Sequence, residues 1–239
     1  MYSRIYSRCV EKCTSNCCDQ ILNTPLKSVI IANGDFVFND RIRKQIESAD
    51  RIVCADGGAN NLVDIDITPD LILGDLDSIL PDTLQHFKDV EVIKESDENG
   101  TDSIKIINYE LSQGVDELIL LGATGKRIDH TLANLSLLTR YTDLIKINII
   151  DNNSEILFIK DSISFESQIG RKLSLMVIGG NSSLTTKGLK WELNEETLLF
   201  SPFGISNEVA FSPVTIEVEG NGVFLFKLFE MSDGTPIIE

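Results

Sequence analysis

The chain has 239 residues, of which 42% are hydrophobic and 24% are charged. These fractions are typical of a protein that buries a core, and they exclude wholesale disorder. Asp and Glu outnumber Lys and Arg by 37 to 21, giving a formal net charge of -16. A charge of this sign disfavours nucleic acid and anionic membrane surfaces as partners.

The first 26 residues are expected to form a poorly ordered extension. Four of its residues are Cys9, Cys13, Cys17 and Cys18. A metal site is one interpretation, but no pair has the spacing of a zinc module, so reduced thiols are favoured. The extension lacks the apolar core of a secretory signal, and no apolar run is long enough to span a membrane. We therefore expect a cytoplasmic protein.

Residues 27–151 alternate short apolar runs with amphipathic stretches, which predicts a parallel sheet covered by helices on both faces. The predicted strands are Val29–Ala32, Ile52–Ala55, Leu71–Leu73, Val90–Ile93, Leu118–Leu121 and Ile145–Ile150. The predicted helices are Asp40–Ser48, Ala59–Val63, Asp82–Phe87, Asp102–Leu111 and Asp129–Arg140.

Residues 152–239 have no helical periodicity and instead carry short β-like runs separated by turn residues. Such a pattern is typical of a β-sandwich or barrel. The predicted strands are Glu155–Lys160, Ser162–Glu166, Lys172–Ile178, Ser183–Thr186, Leu198–Phe200, Val214–Glu219 and Gly222–Phe229. The fold class is therefore a Rossmann-like α/β domain followed by a smaller all-β domain, with the break near Asp151–Ser154.

Acidic loops follow three successive predicted strands. They are Asp56-Gly57-Gly58-Ala59-Asn60, Gly74-Asp75-Leu76-Asp77-Ser78, and Asp97-Glu98-Asn99-Gly100-Thr101-Asp102. Ligands of open parallel sheets bind beyond the carboxyl ends of the strands, so the fold would gather these carboxylates in one cleft. In an extended loop, Asp75 and Asp77 would project to one side, where a hard divalent cation relieves their repulsion. Thr101 is placed to cap the helix that carries Lys105.

A fourth loop, Gly122–His130, combines small residues with Lys126 and Arg127 at a helix start, which suits a polyphosphate. It is not a Walker A loop, because Arg127 stands where Ser or Thr is required. Each string also has an ordinary structural explanation: Asp56 as a helix N-cap, the acidic pair as solvated surface, the Gly-rich loop as a turn, and His130 as a helix-surface or core residue.

These strings, in this order, resemble the thiamine pyrophosphokinase family over residues 30–229. Two further strings in the second half add to the resemblance. The additional strings are Thr186-Lys187-Gly188-Leu189-Lys190-Trp191 and Ser206-Asn207.

The resemblance implies an Mg²⁺-dependent transfer of diphosphate from ATP to the hydroxyl of thiamine by a homodimer with sites between subunits. The implied metal ligands are Asp75, Asp77, Asp102 and Asp97, and the implied catalytic residues are Asp75, Asp77, Asp102 and Arg127. The implied ATP contacts are Asp56, Asn60, Thr101, Lys105, Thr124, Gly125, Lys126, Arg127, Asp129 and His130. The implied thiamine contacts are Trp191, Ser206 and Asn207, with the indole facing the cationic thiazolium.

Two positions depart from the family pattern. Asn99 stands where the family often has Asp, and Lys126 stands where it often has Gly. The loss of a carboxylate at Asn99 leaves open a thiamine or nucleotide-binding protein without turnover. A pyrophosphokinase of the same fold acting on another alcohol, such as a pterin, is a further alternative. Trp191 has an alternative too, as an ordinary residue of the sandwich core.

Overall fold

The computed structural model describes residues 25–95, 100–231 and 234–237, and these residues divide into two compact units. The first unit extends to Leu137 and includes Asp143–Ile147; the second comprises Leu138–Thr142 and everything from Asn148 onward. The first 24 residues, which include all four cysteines of the N-terminal extension, lie outside the described residues, as do Asp97 and Asn99. The domain boundaries expected from the sequence stay a prediction.

The first unit is a parallel sheet flanked by helices. Its strands are β1 (Lys27–Ile31), β2 (Arg51–Ala55), β3 (Leu71–Gly74), β4 (Glu91–Lys94) and β5 (Glu117–Leu121). Its helices are α1 (Asp40–Glu47), α2 (Pro81–His86), α3 (Asp102–Ser112) and α4 (Ile128–Tyr141), the last of which ends beyond the unit. Strand β6 (Lys146–Ile150) begins in this unit.

Local sequence explains these elements. Apart from their first residues, β1, β2 and β5 are fully buried, as strands covered on both faces must be. Helix α1 begins after Asn39, whose side chain accepts a hydrogen bond from the backbone N–H of Ile42 at 3.0 Å. Its buried face carries Ile42 and Ile46, which are one turn apart.

The segment after β2 differs from the predicted helix Ala59–Val63. It is a 3₁₀-helix over Asp56–Leu62 that begins as soon as the strand ends. A Cβ atom added at Gly58 would collide with the carbonyl oxygen of Ile31, so the segment packs directly on the end of β1. That close approach requires glycine and tightens the turn.

The strand order in the first unit is β5-β1-β2-β3-β4, with all neighbouring pairs parallel. Strand β1 therefore lies between β2 and β5, and the order reverses beside it. A reversal of this kind separates the loops after two adjacent strands and opens a crevice at the carboxyl edge of the sheet. The exposed strand β4 at the far edge carries Glu91 and Lys94, charges that discourage edge pairing.

The second unit is a sandwich of antiparallel strands. Their bounds are β7 (Ser154–Ile159), β8 (Ser162–Phe165), β9 (Arg171–Met176), β10 (Asn181–Lys187), β11 (Glu196–Leu199), β12 (Asn207–Glu208), β13 (Val214–Gly220) and β14 (Val223–Met231). One sheet contains β12-β9-β14-β7 and the other β11-β10-β13-β8.

A single apolar core joins the two sheets of the second unit. Leu175 and Leu225 contribute from one sheet, and Leu184 and Ile216 from the other, all of them fully buried. Alternating buried and exposed positions along β10 and β13 place one face of each strand in this core. The predicted fold class, an α/β unit followed by a β-sandwich, is confirmed. Among the described residues, no helix has the length and apolar character needed to cross a bilayer.

Candidate active site

The carboxyl edge of the parallel sheet holds a cavity of about 660 Å³. Loops that follow β1, β2, β3 and β5 line it, together with the first residues of α3 and α4. Most of the residues predicted for the metal and ATP line this cavity. They are Asp56, Asp75, Asp77, Thr101, Asp102, Lys105, Gly125, Lys126, Arg127 and His130.

Three carboxylates meet within the cavity: those of Asp56, Asp75 and Asp102. One oxygen atom of each lies within 4.8 Å of the others. Carboxylate oxygens at this separation suit a hard divalent cation, which would remove their mutual repulsion. The residues present therefore fit a magnesium ion.

Asp56 is the buried member of the cluster, and its backbone adopts a left-handed φ of 43°. Its carboxylate accepts hydrogen bonds from the backbone N–H groups of Ser78 at 2.9 Å and Ile79 at 3.1 Å. Burial raises the pKa of Asp56 and the charge of Asp102 adds to the rise, while the Ser78 and Ile79 N–H groups oppose it. Asp56 thus ties the loop after β2 to the loop after β3.

Gly74 allows the cluster to form. A Cβ atom at this position would lie 2.8 Å from the Asp56 Cβ and 3.2 Å from the Asp102 Cγ. Glycine is therefore needed where β3 passes beneath the two acids. Lys105, one turn along α3, lies with its Nζ 3.2 Å from Asp102 Oδ1 and donates to the carbonyl oxygen of Glu95 at 3.0 Å.

The expected pairing of Asp75 with Asp77 takes a different form. Leu76 between them has a φ of 65°, so the loop is not extended and the two carboxylates need not project together. The exposed Asp77 accepts a hydrogen bond from the Ser78 hydroxyl at 2.7 Å, and that bond lowers its pKa. Asp77 lines the same cavity, and its role as a metal ligand stays a prediction.

Cationic side chains come from the loop after β5. Lys126 has a left-handed φ of 48°, and its Nζ donates to the backbone oxygen of Asn33 at 2.9 Å and to its side-chain oxygen at 3.2 Å. Arg127 pairs through two nitrogens with the Asp129 carboxylate, the Nε to Oδ1 distance being 3.1 Å. This pairing lowers the pKa of Asp129 to about 2.

The structure adds lining residues that the sequence reasoning missed as contacts, chiefly Asn33, Gly34, Ser78 and Asn134. The loop after β1 is joined to the loop after β5 by the Gly34 N–H to Gly122 carbonyl bond of 2.7 Å. A Cβ at Gly34 would collide with the Gly122 and Thr124 carbonyl oxygens. The pair Asn33-Gly34 directly after a strand was a detectable signal, whereas Asn134 within a helix gave none.

Two predicted ATP contacts, Asn60 and Thr124, have hydrogen-bond partners in neighbouring loops, whereas the side chain of a third, Thr101, has none among the described residues. Asn60 donates from Nδ2 to the Ser78 carbonyl oxygen at 3.1 Å and accepts from the Leu80 N–H at 3.1 Å. Thr124 accepts from the Asp35 N–H through its backbone oxygen at 2.8 Å. Thr101 precedes α3, but its buried hydroxyl has no hydrogen-bond partner among the described residues, so it does not cap the helix.

The predicted thiamine residues lie in the second unit. Trp191 is 56% exposed, which excludes the alternative that it is a core residue. The buried Asn207 accepts from the Trp191 N–H at 3.2 Å and donates to its carbonyl oxygen at 2.8 Å. Ser206 has a φ of 60° and donates its N–H to the Ser174 hydroxyl at 3.0 Å. Asn207 therefore fixes the backbone that presents the indole.

Comparison with known families gives two matches along the chain. Residues 42–150 match "Thiamin pyrophosphokinase, catalytic domain", and residues 160–221 match "Thiamin pyrophosphokinase, vitamin B1 binding domain". The first region covers most of the α/β unit and the second covers most of the sandwich strands.

Individual proteins agree with these matches. Thiamine pyrophosphokinase 2 of Arabidopsis thaliana is 32% identical over 221 residues, covering 80% of this chain and 82% of its own. The crystal structure of thiamine pyrophosphokinase from Bacillus subtilis has a TM-score of 0.74 at 25% identity, covering 84% of this chain and 98% of its own. Thiamin pyrophosphokinase from Candida albicans has a TM-score of 0.76 at 19% identity, covering 85% and 89%, a likeness of fold.

Proposed function

The chain belongs to the thiamin pyrophosphokinase family, and from this premise we propose that it transfers a diphosphate from ATP to the hydroxyl of thiamine. The oxygen of that hydroxyl would bond to the β-phosphorus of ATP. The bond from this phosphorus to the oxygen that bridges it to the α-phosphorus would break. AMP would leave with that oxygen, and the hydroxyl proton of thiamine would be released. The observation that carries the proposal is the acidic cluster of Asp56, Asp75 and Asp102 facing cationic side chains in one cavity.

The acidic cluster would hold magnesium. Three carboxylates within 4.8 Å would be strongly repulsive alone, and they supply the oxygen ligands that Mg²⁺ prefers. When bound, the ion would neutralise phosphate oxygens and stabilise the charge that develops on them. The sequence-based assignments of Asp75 and Asp102 agree with this cluster; those of Asp77 and Asp97 stay predictions.

The chain's own cations would hold the nucleotide. The described partners of Lys126 Nζ are the neutral oxygens of Asn33, so its charge is available to an anion at the cavity. Arg127 lies beside it, 67% exposed at its side chain, and can exchange Asp129 for a phosphate in the same bidentate manner. Lys105 is paired with Asp102 and would position that carboxylate; it also lines the cavity, and its contact with ATP stays a prediction.

The exposed indole of Trp191 is proposed to contact the thiazolium of thiamine, a cation suited to an aromatic face. Asn207, whose amide is bound to the Trp191 backbone, would position this contact. Ser206 is exposed and offers a hydroxyl. A domain division at residues 27–151 and 152–239, a homodimeric state and a cytoplasmic location are further parts of the proposal.

The test is an assay of the purified protein with thiamine, ATP and Mg²⁺. We expect AMP and thiamine diphosphate in equal amounts, and no product from Asp75→Asn, which removes one charge of the cluster. Asp82→Asn, on the exposed start of α2, is the matched control and should retain full activity. Turnover by Asp75→Asn would overturn the metal role.

Two further measurements on the same protein separate the alternatives. Tight thiamine binding in calorimetry without AMP release over hours would favour a binding protein. Transfer to a pterin alcohol but not to thiamine in a substrate panel would favour the other pyrophosphokinase.

A further inference from the structure

A buried ion pair joins α3, the helix that supplies Asp102, to the strand β2. Arg51 Nη2 lies 3.1 Å from Glu110 Oε1, and the side chains are 14% and 0% exposed. Glu110 lies in the last third of α3, and Arg51 is the first residue of β2. Neither residue lines the cavity of the acidic cluster, so the proposed reaction does not use the pair directly.

Stability alone is a weak explanation for such a pair. Removing two charges from water costs several kcal/mol per ion, and a well-packed apolar pair often does as well. Burial raises the pKa of Glu110, while the Ser28 hydroxyl and the Arg51 guanidinium act in the opposite direction. A buried pair that is costly to desolvate and adds little net stability suits a role in setting the register of the two elements that it joins.

The two elements joined by the pair also supply two members of the acidic cluster. Asp102 is the first residue of α3, eight residues before Glu110, or about 12 Å along a helix. Asp56 follows the last residue of β2, five residues after Arg51, or about 16 Å along a strand. The Arg51 side chain is long enough to reach Glu110 although the two path lengths differ by about 4 Å. One end of the helix and strand is therefore joined by Arg51–Glu110, and the other carries Asp102 and Asp56.

The cluster end tolerates little displacement. Asp56 and Asp102 both abut Gly74, where an added Cβ would already lie 2.8 Å from one side chain and 3.2 Å from the other. A rotation or slide of α3 on the sheet would move Asp102 relative to Asp56 and Asp75. Cation affinity depends on such positions. Loss of a residue that hydrogen-bonds a metal ligand typically weakens the site about 10–100-fold, and we expect a more distant support to act at the lower end of that range.

We propose that Glu110 and Arg51 are positioning residues for the acidic cluster: their buried ion pair fixes α3 on β2 so that Asp102 meets Asp56 and Asp75. This inference rests on the proposed function, because it concerns the cation site of that proposal. The pair acts through Asp102 and touches neither substrate nor ion.

The test measures divalent-cation affinity without substrates. Mn²⁺ is titrated into the full chain and free ion is followed by electron paramagnetic resonance, beside thermal unfolding. Glu110→Gln keeps the side-chain volume and removes the charge, and we expect Mn²⁺ to bind about 10-fold more weakly to the folded protein. Glu47→Gln removes the exposed Arg43–Glu47 pair of 4.0 Å and should leave Mn²⁺ affinity unchanged.

A second variant covers the case in which Glu110→Gln fails to fold, since it leaves Arg51 buried without its partner. Glu110→Met with Arg51→Met removes both charges, so it should fold while still binding Mn²⁺ more weakly. Unchanged Mn²⁺ affinity in either folded variant overturns the positioning role and leaves the proposed function intact. A wild-type protein that binds no Mn²⁺ overturns both.

Discussion

Lys126 Nζ lies 2.9 Å from the backbone oxygen of Asn33 and 3.2 Å from its side-chain oxygen, so a lysine after β5 is bound to the loop after β1. The two loops are also joined through the backbone of Gly34 and Gly122. The ammonium group thus stays at the cavity wall without a carboxylate partner among the described residues, where a polyphosphate can reach it.

Two substitutions separate the charge of Lys126 from its backbone. Lys126→Gly removes the charge and relieves the left-handed φ of 48°, which costs a non-glycine residue about 1 kcal/mol. Lys126→Met removes the charge and the two hydrogen bonds to Asn33 but keeps the left-handed backbone of a non-glycine residue. We expect both variants to raise the KM for ATP several-fold, with thiamine KM unchanged, while only the glycine variant escapes the backbone cost. Lys88→Met on the exposed surface is the control. An unchanged KM for ATP in Lys126→Met would contradict a phosphate contact.

The Arg127–Asp129 pair predicts a pH dependence. Hydrogen bonding from Arg127 holds the pKa of Asp129 at about 2, below its ordinary 3.8. Because the folded-state pKa is lowered, the pairing stabilises the native loop above about pH 3.8 and is lost as the pH falls through about 2. Carboxyl ¹³C NMR should therefore show the Asp129 pKa rising towards 3.8 in Arg127→Met. Arg43→Met should leave it near 2, and a pKa that stays low in Arg127→Met would rule out this pairing in solution.

Asn60 is expected to act by holding the loop that carries Asp75. Its amide bonds to the Ser78 carbonyl and the Leu80 N–H, so Asn60→Ala loses two hydrogen bonds, or about 1–3 kcal/mol of unfolding free energy in urea titrations. The kcat of Asn60→Ala should also fall, because the loop after β3, which carries Asp75, would be less ordered in this variant. The exposed Asn194→Ala should change neither quantity. If Asn60→Ala kept both wild-type stability and wild-type kcat, Asn60 would have no positioning role.

Asn207 allows a direct spectroscopic test in the second unit. Asn207→Ala removes two hydrogen bonds to the Trp191 backbone and should cost about 2 kcal/mol of stability. Because Trp191 is the sole tryptophan, its fluorescence reports the change without interference. We expect an altered emission and a raised KM for thiamine, with the KM for ATP retained. Asn207→Asp keeps the acceptor for the Trp191 N–H, so its thiamine KM should lie between those of the wild type and Asn207→Ala. A wild-type thiamine KM in Asn207→Ala would contradict the role of Asn207 in presenting Trp191.

Much of the cation site was predictable because chain order carries it. Strands that are apolar on both faces demand a parallel sheet, and a parallel sheet brings every loop at a strand's carboxyl end to one edge. Asp75 and Asp102 were assigned on that ground, and the structure brings them together. Asp56 was assigned to ATP instead, because nothing in a linear string indicates that its carboxylate turns towards the loop after β3.

Backbone conformation accounts for the remaining differences. The left-handed residues Asp56, Leu76 and Lys126 each redirect a loop, and none is glycine, so no residue type announced the turn. The positive φ of Leu76 removes the extended geometry assumed for Asp75 and Asp77. At Lys126, where the family often has Gly, the positive φ is met by a lysine whose Nζ bonds to Asn33.

The sequence by itself determined the family, the order of an α/β unit and a β-sandwich, and the loops that meet at the carboxyl edge, because these follow from periodicity and motif order. Only the tertiary structure decided that β1 lies between β2 and β5, that Asp56 completes the carboxylate cluster, and that Arg51 and Glu110 pair at the other end of α3 and β2. Those relationships join residues far apart in the chain, and they depend on strand order and helix register, which local sequence does not encode.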